Sequence, residues 1–340
     1  MPLLDLHENK KLIHVSECAQ KTYSINDSNY PVYVLTNVYG IPNLMDGRSR
    51  FALALYDANG NVYDCSFSYM LPKIPSMLNC LQPLETKDEE IDIDVACYVC
   101  EDVSNNYWHF TFQIMNRLFA MEESGFTGKY IVYDVTFARQ MLQLLGIPDE
   151  RIVWFQKNEN IRYKIHELHY VHFFENAHGG HGIGVLNRFA SVILENSVTY
   201  KALSRYPKRV FVKRVGSRKL LGVDKILEEF GFYTVLLEEH SVLEQVLYFH
   251  AADVVLASHG AGSANSIYMH DGAIFIETFG RGYVNPCCSF TLLESGKRVK
   301  YRMIVEKGAG GLDNPRGDYT IQDELLRLVL LDACGNNDSK

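Results

Sequence analysis

From residue 209 to residue 305 the chain alternates apolar runs of strand length with segments of helical spacing, and few architectures can bury such a pattern. The runs 209–215, 233–237, 253–257, 273–278 and 299–305 read as strands, while 223–230, 242–251 and a short piece near 289–294 read as helices. Val242, Val246 and Phe249 recur at helical spacing, and Gly231 stops the helix before them. Strands that are apolar throughout have both faces covered, so this repeat predicts a parallel sheet with helices on either side. The first half follows the same rule less regularly. It has strands at 91–99, 130–133, 151–155 and 163–174, and helices at 107–123 and 138–145, the second closed by Gly146-Ile147-Pro148.

The expected fold is therefore α/β, with two doubly wound Rossmann-type domains facing a cleft. Residues 1–90 read as a β-rich leader packed on the first domain, with an extended run at 30–38 and a hairpin signal, Asn59-Gly60, between 51–56 and 62–67. The acidic stretch 82–94 begins as a loop and leads into the first parallel strand. The first domain is expected over 91–184 and the second over 185–319, joined by a His- and Gly-rich loop, 176–184, and a long helix, 185–203. Residues 320–340 are expected to form a C-terminal helix crossing back, and a tail.

Composition narrows the function. Hydrophobic residues make up 47% and charged residues 22%, enough for a large core and too apolar for disorder over most of the chain. A net charge of -8 lacks the electrostatic footprint of a nucleic-acid binder. The N-terminal residues lack the basic-then-apolar layout of a signal peptide, and no apolar run is long enough to span a bilayer. A soluble, cytoplasmic protein is expected, one that could work peripherally at a membrane surface. Eight cysteines in 340 residues do not form a disulfide framework. Cys97 and Cys100 sit in a strand-like run with no second pair at zinc-ligand spacing, and they read, like Cys287 and Cys288, as buried thiols.

Open parallel sheets bind ligands beyond the carboxyl ends of their strands. The segment Asp253-Val-Val-Leu-Ala-Ser-His259-Gly260-Ala261-Gly262-Ser-Ala-Asn265 has the layout for it: an apolar strand ends, small residues admit a ligand, and a helix begins. A helix N-terminus offers unpaired N–H groups and partial positive charge, which suits a diphosphate. After the next strand, Glu277 stands where a carboxylate could accept ribose hydroxyls. Gly260-x-Gly262 alone is a weak signal, because a structural turn explains it equally well and the dinucleotide fingerprint wants a third Gly at Asn265. Lys213, Arg214 and Arg218 bracket Gly216-Ser217 at the end of another strand of the same sheet, a cluster suited to phosphate oxygens.

These motifs, with Glu228-Glu-Phe-Gly-Phe232, Glu244-Gln245 and Ala252-Asp-Val-Val, resemble glycosyltransferase family 61, which includes plant xylan xylosyl- and arabinosyltransferases and animal O-linked N-acetylglucosaminyltransferases. Asn265 and Glu277 fall where that family has an Asn and a Glu. The similarity spans about 104–305 and is densest over 209–280. It implies a GT-B fold, an inverting transfer, a nucleotide-sugar donor (usually UDP-linked), and no required metal or other cofactor. The acceptor would be a glycan or glycoconjugate, which could be lipid-linked. By that resemblance the first domain is the acceptor side, and Arg214, Arg218, His259, Gly260, Ala261, Gly262, Asn265 and Glu277 form the donor grip.

Asn106-Tyr-Trp-His109 resembles the family's N-x-x-H motif. On the helix that follows, Trp108, Phe112, Met115 and Phe119 make an apolar face. His109, Gln113, Asn116 and Arg117 make a polar stripe, which would ordinarily face solvent. The resemblance assigns Asn106, Gln113 and Arg117 to the acceptor side. Many family members carry Asp or Glu four residues after the motif His, where this chain has Gln113, and an amide cannot be a base. His109 is then the expected catalytic base, since imidazole titrates near neutrality, with Glu175, His178 and His181 as reserves. No metal site is expected: His166, His169 and His172 share a strand, but a spacing of three puts His169 on the opposite face. The Gly260/Gly262 turn with Glu277 also fits a nicotinamide-dependent oxidoreductase, and the loss of a carboxylate at Gln113 fits a non-catalytic nucleotide-sugar-binding homologue.

Overall fold

A computed structural model describes residues 12–25, 28–44, 51–67, 89–100, 103–156, 160–171, 183–197, 203–306 and 316–335. His172, Glu175, His178 and His181 lie outside the described residues, as do 82–88 of the acidic stretch and the terminal 336–340. The chain divides into two compact units, Met1–Ala177 with Gly184–Phe189, and His178–Ile183 with Ala190–Lys340.

In the first unit the strands are β1 (Leu12–Ile13), β2 (Ala19–Ile25), β3 (Ser28–Leu44), β4 (Phe51–Tyr56), β5 (Val62–Tyr63) and β6 (Glu89–Tyr98). A helical stretch of α1 (Tyr107–His109), a π-helical turn (Phe110–Ile114) and α2 (Met115–Glu123) leads to β7 (Lys129–Tyr133), α3 (Thr136–Leu144), β8 (Ile152–Phe155) and β9 (Ile161–Val171). Their order across one mixed sheet is β1-β5-β4-β3-β9-β6-β7-β8, with β2 on β3. The strands β9, β6, β7 and β8 are mutually parallel. The leader extends this sheet edge to edge: β3 pairs antiparallel with β9 from Val32↔Val171 to Gly40↔Tyr163. Pairing of this kind satisfies the main-chain groups that a bare β9 edge would leave open. Hydrophobic burial then locks the register, with Val32, Val38 and Ile41 fully buried.

The helix expected at 107–123 is present but not regular. The Met115 N–H reaches back five residues to the Phe110 carbonyl, a π turn. One extra residue in a turn rotates everything beyond it by ~100° relative to an unbroken helix. As a result the polar stripe does not face solvent: Gln113, Asn116 and Arg117 are as buried as Phe112, Met115 and Phe119.

Helix α4 (Ile183–Ser197) precedes the second unit's sheet. That unit runs β10 (Arg209–Lys213), α5 (Asp224–Glu229), β11 (Tyr233–Leu236), α6 (Val242–Ala251), β12 (Val254–Ser258), a 3-10 helix (Ala261–Tyr268), β13 (Ile274–Phe279), α7 (Cys287–Glu294), β14 (Lys300–Val305) and α8 (Asp323–Gly335). All five strands are parallel, in the order β11-β10-β12-β13-β14. β12 and β13 are buried at every position, their mainly apolar sequences interrupted in β13 by Glu277 and Thr278. Ser241 and Glu244 close a reciprocal capping box at the start of α6. The chain order reverses between β10 and β12, so the loops leaving these two strands diverge and leave a crevice at their carboxyl ends.

The last helix, expected to cross back, buries Leu326, Leu330, Ala333 and Cys334 in the second unit's own core, with Phe211, Leu256 and Ile276. Leu326→Ala should therefore destabilise this unit by ~2–5 kcal/mol through loss of apolar contact and the cavity left behind. Leu328→Ala, at a position 65% exposed, should shift stability by no more than about 0.5 kcal/mol. Urea unfolding of the intact chain measures both, and equal effects would contradict this packing.

Candidate active site

The second unit brings its basic loop and its glycine loop together at the crevice between β10 and β12. Arg214 Nη1 donates to the main-chain carbonyl of His259 at 3.0 Å, and its Nε donates to the Ser217 carbonyl at 3.1 Å. A Cβ on Gly260 would lie 1.5 Å from Arg214 Nη1, so glycine is needed there for the close approach of the guanidinium. At Gly262 a Cβ would fall 2.7 Å from Leu237 Cδ1, so a side chain there would have to displace the leucine tip. Arg218 follows Gly216 with φ at 61°, a left-handed conformation that costs a non-glycine residue about 1 kcal/mol or more. Its guanidinium lies over the Tyr283 ring, 5.0 Å from the centroid, and its buried Nε has no hydrogen-bond partner among the described residues. Burial, and then the nearby Arg218 charge, lower the pKa of Arg214. Among the described residues neither arginine has a carboxylate at ion-pair distance, whereas Lys213 is paired with Asp224 at 3.6 Å.

His259 continues the β12 register past its end, donating its main-chain N–H to the Thr278 carbonyl at 2.9 Å. This seats the imidazole on Phe279, with centroids 4.8 Å apart and ring planes 24° apart, and near Tyr283 at 5.6 Å. Only 8% of His259 is exposed. Its Nδ1 is 2.8 Å from Glu277 Oε1, while Nε2 makes no hydrogen bond among the described residues. Glu277 has no exposed surface. Its Oε1 also accepts from Ser263 Oγ at 3.0 Å, and its Oε2 accepts from the Tyr301 hydroxyl at 2.8 Å. Burial first, and then this carboxylate, push the Tyr301 phenol up.

Two residues expected to touch a ligand are thus turned inward. Glu277, expected on the ribose hydroxyls, has both oxygens engaged within the unit. Asn265 is fully buried, and its amide donates to Gln245 Oε1 at 3.0 Å. The segment after Gly260, expected as a helix to 269, is a 3-10 helix: Ser263 N bonds Gly260 O at 3.0 Å and Met269 N bonds Ser266 O at 3.1 Å. Its main-chain bonds reach only three residues back, so Arg214 and Arg218 supply more of the positive field than a helix dipole does. Tyr283, Phe279, Ser263 and Tyr301 were not singled out from sequence. Phe279 and Tyr283 had a signal, as aromatics at the end of the strand that carries Glu277 and in the loop just beyond it.

In the first unit Asn106 caps the helix, its Oδ1 accepting from Trp108 N at 3.0 Å and from His109 N at 3.4 Å. The Asn of the N-x-x-H motif therefore fixes the backbone from which His109 projects. His109 Nδ1 lies 2.8 Å from Gln113 Oε1, one helical turn on. An amide oxygen accepts, so Nδ1 carries the hydrogen and Nε2 is the basic nitrogen. Arg117 is 1% exposed and donates to the Val99 carbonyl at 3.4 Å.

His169 is buried, and His166 on the opposite face is exposed, as the strand alternation requires. Asp92, Asp94 and His166 form the one group with metal-ligand spacing among the described residues. Lys164 already lies 3.2 Å from Asp92, and its hydrogen bond, followed by that of His166, holds the Asp92 carboxyl below its usual range. The thiols Cys97, Cys100, Cys287 and Cys288 are free and buried, and burial followed by the Glu277 charge pushes Cys287 up to about 12.

If Gly260 exists to admit Arg214, then Gly260→Ala and Arg214→Ala should harm UDP affinity by the same route. The double variant should bind no more weakly than the worse single one, because the second change removes an interaction already lost. Calorimetry of the four proteins tests this, and additive losses would separate the two positions.

Of the comparisons with known proteins, a family model described as Glycosyltransferase 61 matches residues 107–276, half of the chain. The match covers both the Asn106–His109 helix from its first turn and the second unit's sheet as far as β13. No curated protein matches. No helix among the described residues is long and apolar enough to cross a membrane.

Proposed function

The chain belongs to glycosyltransferase family 61, and from that premise we infer an inverting, metal-independent enzyme of the GT-B type, moving a sugar from a nucleotide-sugar to a hydroxyl of a glycan or glycoconjugate. Family membership makes it a glycosyltransferase with a donor and an acceptor, and sets the nicotinamide alternative aside. The donor is UDP-linked, and its diphosphate lies at the crevice between β10 and β12. One observation carries this assignment: two arginines with no carboxylate partner among the described residues stand at the sheet's switch point, Arg214 on the His259 carbonyl and Arg218 over the Tyr283 ring beside His259. Like charges held together in a partly buried place favour an anion between them. With two guanidinium groups and His259 Nε2 available to the diphosphate, leaving-group charge can be stabilised without a divalent ion. Glu277 holds His259 in this scheme and does not grip the ribose.

On the acceptor side, His109 takes the hydroxyl proton through Nε2 while Gln113 holds Nδ1. The hydroxyl oxygen attacks the anomeric carbon, the bond from that carbon to the diphosphate breaks, and the electron pair leaves with UDP. Gln113 thus supplies an orienting hydrogen bond, without charge, at the position where many relatives have an acid.

Arg214→Ala and Arg218→Ala should each weaken UDP binding ~10–100-fold, as expected when a hydrogen bond to a charged group is lost, and leave uridine binding nearly unchanged. Equal losses for UDP and uridine would remove the diphosphate from this site. His109→Ala should lower transfer ~10²–10⁴-fold with UDP affinity kept. Adding Gln113→Glu to that variant should restore part of the rate with a lower pH optimum. Near-normal transfer by His109→Ala would exclude it as the base. UDP binding without transfer or donor hydrolysis, across a panel of UDP-sugars, would mark a non-catalytic homologue.

A further inference from the structure

The geometry points to Tyr301 and Ser263 as positioning residues, which hold the buried Glu277 carboxylate against His259 so that Nε2 is the imidazole nitrogen offered to the donor's diphosphate. The inference rests on the donor site proposed at this crevice. Its observations are independent of the arginines. A carboxylate with no exposed surface has three donors around it: Ser263 and His259 on Oε1, and Tyr301 on Oε2. An ionised carboxylate only accepts, so the His259 hydrogen must sit on Nδ1. That leaves Nε2 with a lone pair, on a side chain more than nine-tenths buried, and no group among the described residues bonds to it. An imidazole nitrogen left open at one end of a satisfied chain, on a side chain held this firmly, marks a place for a ligand.

The ring itself has little freedom. Phe279 stacks on it, Tyr283 leans against it, and Arg214 holds the carbonyl of its own residue. Tyr301 reaches Glu277 because β14 pairs with β13 in a fixed register, Tyr301 opposite Phe275 and so on the same face as Glu277 two residues on. Ser263 reaches it from the first turn of the 3-10 helix. Loop, strand and neighbouring strand thus converge on one imidazole. When Nε2 takes a proton it becomes a cationic donor facing the diphosphate, and Glu277 stabilises that charge from the opposite side. No bond in the substrate is broken by these residues. They fix the tautomer and the orientation of the group that meets the leaving phosphate.

Two-bond ¹H–¹⁵N spectra of the intact chain labelled with ¹⁵N-histidine test this, with the His259 signal identified by its loss in His259→Asn. At a pH where the ring is neutral, wild type should show the Nδ1–H tautomer. Pyrophosphate, the probe, should move Nε2 from the unprotonated to the protonated position. Tyr301→Phe removes one hydroxyl and keeps the ring packed near Phe275, so the fold should hold and the Nε2–H tautomer should appear. Glu277→Gln can turn its NH₂ toward Nδ1 and should favour Nε2–H more strongly, and Ser263→Ala should act like Tyr301→Phe. A wild-type ring in the Nε2–H form, or one tautomer common to wild type and all three variants, would overturn the inference. If calorimetry shows no pyrophosphate binding, the donor site fails and the wild-type tautomer still decides the positioning role. If pyrophosphate binds and Nε2 does not move, the donor site stands and the inference fails.

Discussion

A carboxylate placed on a strand that is buried at every position must find hydrogen-bond donors or destabilise the sheet, and much of the second unit's crevice follows from how Glu277 finds them. Desolvating an unpaired carboxylate would cost several kcal/mol, more than most single contacts can offset. Ser263, Tyr301 and His259 supply the donors from a 3-10 helix, a neighbouring strand and the loop after β12. Meeting this requirement fixes the position of His259. With the ring fixed on Phe279, its carbonyl is available to Arg214, and Gly260 leaves the space that the guanidinium occupies. Arg218, in its left-handed turn, completes the wall by covering Tyr283. The cationic crevice is thus built outward from one buried negative charge.

The architecture was legible in the sequence wherever burial is two-sided. β12 and β13 are mainly apolar because both their faces are covered, so the chain could be read as a parallel sheet without knowing which strands pair. The nearness of Arg214 to His259 was legible for a related reason, since both directly follow strand ends and the carboxyl ends of a parallel sheet share one side. Glu277 was legible as an anomaly in its strand and not in its role. Nothing in a linear sequence puts Tyr301 beside it; that takes the β13–β14 register. The pairing of β3 with β9 was hidden for the same reason, being a long-range contact that leaves no local periodicity.

The helix after Asn106 shows a different limit. Reading it with an unbroken 3.6-residue period separates an apolar face from a polar stripe. The π turn breaks that period, so Gln113, Asn116 and Arg117 are buried along with their apolar neighbours. The residue types still carried meaning. Asn106 caps the helix it precedes, and Gln113 bonds His109 at the spacing where many relatives have an acid. Both ends of the proposed reaction therefore use an imidazole whose Nδ1 is held by a side-chain oxygen, neutral at His109 and carboxylate at His259. The two rings are thus held by partners of different charge, a neutral amide at His109 and a carboxylate at His259.

The central claim is that the protein's own cations, without a metal ion, hold the donor diphosphate. Calorimetric titration with UDP in excess EDTA, repeated with Mg²⁺ or Mn²⁺ in place of the chelator, tests this most directly. The account predicts the same affinity in both conditions, within about twofold, because Arg214, Arg218 and His259 supply the charge. Binding that disappears in EDTA and returns with the metal would contradict it.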